Sequence, residues 1–173
     1  MDNKLILTKE DVIMFWFEEI LPEQWFKKDK KFDAILLERA GATVRKALNG
    51  QLDKWSKSST GSVSLVILLD QFTRNIFRDT PKAFSGDEMA LVLSQKSINS
   101  KWFSELSMMY KQFLLMPMMH SEDISIQEKS LPLFKQHANK RTYEFAVKHR
   151  DIIAKFGRFP HRNLILSLSL IHI

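Results

Sequence analysis

The chain contains no cysteine. Disulfides and thiolate zinc sites are therefore excluded, and with nothing to favour an oxidising compartment the expected location is cytoplasmic. No apolar run approaches the roughly 20 residues needed to cross a bilayer. The N-terminus sets Asp2, Lys4, Lys9, Glu10 and Asp11 around short apolar pieces, which is not the order of a signal peptide. No membrane partner is expected. The phosphate loop G-x-x-x-x-G-K-S/T, the dinucleotide fingerprint G-x-G-x-x-G and the nucleophile elbow G-x-S-x-G are missing. ATPase, dinucleotide-dependent and α/β-hydrolase chemistries fall with them, and no cofactor is expected. The formal charge of +6 is dispersed, and its densest run, Lys27-Lys28-Asp29-Lys30-Lys31, is broken by an acid and followed by Asp33. Such a run reads as a solvated helix start, so no nucleic acid partner is expected.

What the chain does have is apolar residues at helical spacing. Its 173 residues are 45% hydrophobic, enough to bury most of the surface of the unfolded chain within one domain. Thr8 and Asp11 resemble a capping pattern before Val12, Ile13, Phe15, Trp16 and Ile20. A second helix carries Phe32, Ile35, Leu36, Val44 and Leu48, with Gly50 placed as a left-handed cap. Ser56 to Ser62 reads as a flexible connector, and a third helix runs from about Val63 to Asn75. Ser85 and Glu88 form a capping box that opens a helix to about Ile98. Trp102 to Met116 is a strongly apolar helix stopped by Pro117, and Ser121 caps the next, which Pro132 kinks or divides. Arg141 to Phe156 ends at Gly157, and Pro160 suits the first turn of another helix. The expectation is an all-α fold of about seven helices paired antiparallel, one domain over residues 1–163. Residues 164–173, Leu-Ile-Leu-Ser-Leu-Ser-Leu-Ile-His-Ile, alternate like a strand and stand apart as an aberrant tail.

Three polar knots sit among apolar neighbours, where unpaired charge is costly. In the first, Asp70 and Arg74 lie one helical turn apart on one face, in the favoured acid-first order. That pair reads as a structural tie between helices or as a catalytic carboxylate with its cation. The second is His120-Ser121-Glu122-Asp123. Its H-x-E spacing matches one half of the zinc-deaminase signature, whose cysteine half is absent. His120, Glu122 and His161 suit a two-histidine, one-carboxylate metal site by type, but H-E-x-x-H is missing and no metal is expected. His120 alternatively serves as a general acid or base. The third knot is Phe156-Gly157-Arg158-Phe159-Pro160-His161-Arg162-Asn163. A helix starting at Pro160 would aim the free amides of His161, Arg162 and Asn163 at an incoming anion, with the arginines beside them. The alternative is that Arg158 and Arg162 cap carbonyls of the preceding helix or pair with Glu122 and Asp70.

The order Phe15-Trp16-Phe17, Trp25-Phe26-x-x-Asp29, LLDQFTRNIFRDTPKAF, MPMMHSED and FGRFPHRN closely resembles the uncharacterised, largely bacterial family called domain of unknown function 924. The resemblance spans about Thr8 to Asn163. It implies a tetratricopeptide-like helical fold and no established reaction. The family's recurring polar positions fall on Asp70, Gln71, Arg74, Asn75, Arg78, His120, Ser121, Glu122, Arg158, His161, Arg162 and Asn163. Thr73 stands where the family usually has proline, and Ala40 where phenylalanine is common. Family members continue past Leu164 with a basic stretch and a further capped helix, so the resemblance implies a truncated C-terminal helix here.

Two functional readings follow. In the first, Arg74, Asn75, Arg158, Arg162, Asn163, Gln71 and Arg78 surround a small anionic metabolite, while His120, Glu122, His161 and Asp70 move protons. In the second, the helix pairs form an interaction scaffold for a peptide or protein partner and the polar motifs only lock helices together. Whether the three knots meet at an open concavity separates the two.

Overall fold

In the computed structural model, which describes residues 5–168, the side chain of Thr8 accepts from the Asp11 amide while Asp11 accepts from that of Thr8. This reciprocal cap starts α1 (residues 9–19), α-helical over Lys9–Met14 and π-helical over Phe15–Glu19. A 3-10 turn at Pro22–Gln24 leads to α2 (Lys30–Leu48), whose first amides are held by the Asp29 carboxylate. Gly50, at a φ of 73°, closes it in the left-handed region, as its position in the sequence predicts. The central helix α3 (residues 59–76) is α-helical at both ends and π-helical over Ile67–Phe72. It packs against α1, α2, α4 (Asp87–Ile98) and α5 (Met108–Met119). Then α6 (Ile124–His137) and α7 (Lys140–Phe156) follow, each of α5, α6 and α7 packing on the helix before it. The fold is all-α, with seven long helices and no strand among the described residues.

Two apolar clusters hold these helices. The larger joins Trp16, Leu36, Phe72 and Phe113, with the Trp16 ring 5.4 Å from that of Phe72 and 5.9 Å from that of Phe113. The smaller joins Leu115, Met118, Met119, Phe134 and Ala146. Because α5 contributes Phe113, Leu114 and Met116 to one and Leu115, Met118 and Met119 to the other, its stretch from Phe113 to Met119 is apolar all round and buried on every side. His120, which caps its C-terminus, therefore emerges from the interior.

Several expected boundaries move, for identifiable reasons. Pro117 does not stop α5, and Pro132 lies inside an undivided α6. An internal proline costs about 3 kcal/mol, but burial on both clusters outweighs it in α5, where the His120 amide still donates to the Met116 carbonyl. Trp102 belongs to a separate 3-10 turn, Lys101–Glu105, and α5 starts after Ser107, which caps it. Ser85 is not the cap of α4. Its hydroxyl donates to Lys82 O, and Gly86 occupies the cap because a Cβ there would lie 2.2 Å from Leu69 O. Ser121 yields its expected role to Asp123, whose carboxylate accepts from the Ser125 amide. The stretch read as a flexible connector is ordered: Asp53–Lys57 form a 3-10 turn, Ser58 caps α3, and the helix starts at Ser59 rather than Val63. The first residues of the tail turn instead of extending, with Leu166 N donating to Arg162 O and Leu168 N to Asn163 O. Residues 169–173, the rest of the expected strand, lie outside the described residues.

Candidate functional site

Asp70 lies in the π-helical stretch of α3 and is fully buried. One carboxylate oxygen faces His120 Nδ1 at 2.7 Å, and the other accepts from Gln71 Nε2 at 2.7 Å. Arg74 Nη1 lies 3.3 Å from the first oxygen and donates to the Asp70 main-chain carbonyl. Burial pushes the Asp70 carboxyl up, but His120, Arg74 and Gln71 outweigh it and hold it at about 2. An ionised carboxylate on Nδ1 fixes the imidazole plane and, in the neutral ring, its tautomer. His120 then keeps its Nε2 edge, which has no hydrogen bond among the described residues, for the space beside it.

The third knot closes on the same histidine. Arg162 Nη2 donates to His120 O at 3.1 Å and lies 3.6 Å from Asp87, while Nη1 lies 3.7 Å from Glu122. Its guanidinium is sandwiched between the rings of Phe84 and Phe159, at 4.4 and 4.8 Å. Glu122 accepts from the Phe159 amide at 2.8 Å. Asp87 takes both terminal nitrogens of Arg74, at 2.7 and 3.0 Å. Asp33 takes Asn75 Nδ2, Arg78 Nε and Arg78 Nη2. All three knots thus converge, and most of their charges neutralise one another.

Two adjoining hollows open on this frame. The larger, about 580 Å³, has Phe26, Met116, Met119 and Phe145 as its apolar wall, with Gln112 and Asn139 as neutral polar groups. His120 and His149 both line it, their ring centroids 6.3 Å apart. The Nδ1–H of His149 donates to Phe145 O at 2.8 Å. Burial pulls His149 down to about 4 despite that bond, so it is neutral at pH 7. The smaller hollow, about 190 Å³, shares Trp25, Phe26, Lys27 and His120 with the larger one. Its remaining lining is Gln71, Arg74, Asn75 and Arg78.

Of the residues singled out from the sequence, Gln71, Arg74, Asn75, Arg78 and His120 line a hollow, and Asp70 stands directly behind. Glu122, Arg162 and Asn163 do not line either hollow. Asn163 is fully buried, with neither side-chain polar atom bonded among the described residues. His161 is exposed and packs on Phe159, with ring centroids 5.7 Å apart. Arg158 is half-buried beside the corner and has interactions of its own. The helix-start anion receptor at Pro160 is not there. Pro160–Arg162 is a single 3-10 turn too short for a helix N-terminus, and two of the three amides expected to be free are spent, Arg162 N on Phe159 O and Asn163 N on Pro160 O, each at 3.0 Å. The carboxylate that His120 meets is Asp70, not Glu122. Sequence reasoning missed His149, Asp87 and Asp33 as members. His149 sits in an ordinary basic stretch, Lys148-His149-Arg150, without a signal; Asp87 and Asp33 look like first-turn helix acids. The pair Trp25-Phe26, visible as a motif, carries no chemical signature until it forms a wall.

The family model for a bacterial protein of unknown function (DUF924) matches residues 12–168. No curated protein matches the chain. Among solved structures, a protein of unknown function, ATU0120 from Agrobacterium tumefaciens, is 34% identical with a TM-score of 0.87, over 93% of this chain and 90% of that one.

Proposed function

The chain belongs to the DUF924 family of bacterial proteins, and from the site it builds we propose that it binds a small molecule in the larger hollow and exchanges a proton with it through His120. The observation that carries this reading is the Asp70–His120 pair. A fully buried carboxylate holds Nδ1 at 2.7 Å while the imidazole, 17% exposed, borders a hollow large enough for a metabolite. His120 is the catalytic residue: Nε2 accepts a proton from an acidic O–H, N–H or C–H of the ligand and returns it. Asp70 is a positioning residue that stabilises the imidazolium formed. Arg74, Arg78 and Arg162 hold Asp87, Asp33, Glu122 and the His120 carbonyl in place, an architectural duty that the scaffold reading assigns to such charges. His149, neutral and beside His120, is a second acceptor for the same ligand.

The test is a thermal-shift screen of small organic acids, amines, amides and alcohols, followed by NMR of ¹³C-labelled histidines. Compounds that stabilise the protein are expected to move the His120 Hε1 resonance and to lose affinity in His120→Gln. A panel without binders, or binders that leave His120 unmoved and bind His120→Gln unchanged, overturns the reading.

A further inference from the structure

The two hollows differ in chemistry, and this difference supports an inference that rests on the proposed site and goes beyond it to the class of ligand. None of the residues lining the smaller hollow is acidic, whereas Lys27, Arg74 and Arg78 all line it. The carboxylates that neutralise the arginines, Asp33 and Asp87, do not line it. Two of the cations retain binding capacity. Lys27 is exposed and makes no ion pair among the described residues. Arg78 commits Nε and Nη2 to Asp33 and leaves Nη1 without a hydrogen bond among the described residues. A guanidinium carries five N–H donors, and those left over suit an oxyanion. The larger hollow is the more apolar of the two: Met116, Met119 and Phe145 line it alone, Phe26 lines both, and the charged Glu23 and Arg141 also border it, with Phe26 and Phe145 being 64% and 43% exposed. Exposed aromatic side chains that line a concavity are poised to cover an apolar group.

We infer that the site takes an amphiphilic ligand, an oxyanion head of phosphate or carboxylate type in the smaller hollow joined to an apolar body in the larger one. His120, Lys27, Trp25 and Phe26 line both hollows. The imidazole therefore stands at the junction of head and body, and the proton it handles is on or next to the atom that connects them. Lys27 pairs with the head at the entrance, and Phe145 lies against the body.

Calorimetric titration at fixed ionic strength with four probes tests this: inorganic phosphate, hexyl phosphate, heptanoate and hexan-1-ol. Hexyl phosphate is expected to bind at least about tenfold more tightly than phosphate or hexan-1-ol, since each buried methylene adds roughly threefold or more. Lys27→Glu is expected to weaken phosphate and hexyl phosphate by about tenfold or more, as loss of a charge-assisted contact does, and to leave hexan-1-ol unchanged. Phe145→Ala is expected to weaken hexyl phosphate and hexan-1-ol and to spare phosphate. Both side chains are exposed, so the variants fold, and Arg78→Lys gives a second probe of the head contact. Heptanoate binding like hexyl phosphate identifies the head as any oxyanion; weaker heptanoate binding identifies it as phosphate. The inference is overturned if no phosphate-bearing or carboxylate probe binds, if hexyl phosphate is no tighter than phosphate, or if Lys27→Glu and Phe145→Ala weaken every probe alike. Hexan-1-ol moving the His120 resonance while the anions do nothing would remove this inference and keep the proton-exchange reading. All probes leaving His120 unmoved would remove both.

Discussion

His120 Nδ1 and Asp70 Oδ1 lie 2.7 Å apart although fifty residues separate them in the chain. That contact links the end of α5 to the π-helical part of α3, a kind of winding frequent at functional sites. Asp70→Asn keeps the shape and removes the charge. It leaves Arg74 with Asp87 alone and His120 against a neutral amide, so stability should fall by about 3 kcal/mol, as when a buried pair loses one member. Urea unfolding measures the loss, and histidine NMR should show His120 no longer locked in one tautomer. An unchanged midpoint with an unchanged imidazole spectrum would contradict the role given to Asp70.

Gly86 and Leu69 make a second, purely steric claim. A Cβ on Gly86 would lie 2.2 Å from Leu69 O, which is main chain and cannot swing aside, and Asp87 follows directly. Gly86→Ala should therefore cost at least about 2 kcal/mol by overpacking. It should also push Asp87 off Arg74. Gly157→Ala is the control: with φ at 69° and nothing within 4 Å, only backbone strain of about 1 kcal/mol is expected. Equal losses at the two positions would refute the packing argument.

Acid should act in two stages. His149 has an ordinary value of 6.5 and is lowered to about 4 in the fold, so folding favours its neutral form. The unfolded chain binds the extra proton between those values, and stability present above pH 6.5 is lost as pH falls toward 4. Asp70 goes from 3.8 to about 2, so its contribution is complete above pH 3.8 and drains away as pH falls toward 2. The first stage is worth about 3 kcal/mol and the second about 2 kcal/mol. Urea midpoints at pH 7, 5 and 3 should decline progressively, and His149→Gln should flatten the decline from pH 7 to 5 and reduce, without abolishing, that from pH 5 to 3. A wild-type midpoint constant from pH 7 to pH 4.5 would show that the fold does not demand neutral His149.

Arg162 stacks between Phe84 and Phe159 and reaches the His120 carbonyl with the same guanidinium. Arg162→Lys keeps the charge but loses the flat fork, so a cost of about 1–2 kcal/mol is expected together with a shifted His120 resonance. A fully silent lysine variant would mean that charge alone is what the corner needs.

The helices were legible in the sequence because period and caps are local: Thr8 with Asp11, Gly50 and Gly157 each act within one turn of their own residue. Convergence of the three polar knots was foreseeable from the cost of leaving such charges unpaired among Phe, Leu and Met. Boundaries failed where long-range packing overruled a local rule. Pro117 continues a helix buried on two clusters, Ser85 gives way to a glycine pressed on Leu69 O, and the Arg162 and Asn163 amides are consumed by a 3-10 turn. The division of labour among the charges was decided by tertiary structure alone. A sequence shows that Arg74, Arg162, Asp70 and His120 exist, but which of them faces its counter-charge and which faces open space depends on how α3, α5 and the corner after α7 meet. Electrostatic pairing falls off over a few ångströms, and those distances are set only when the chain is packed.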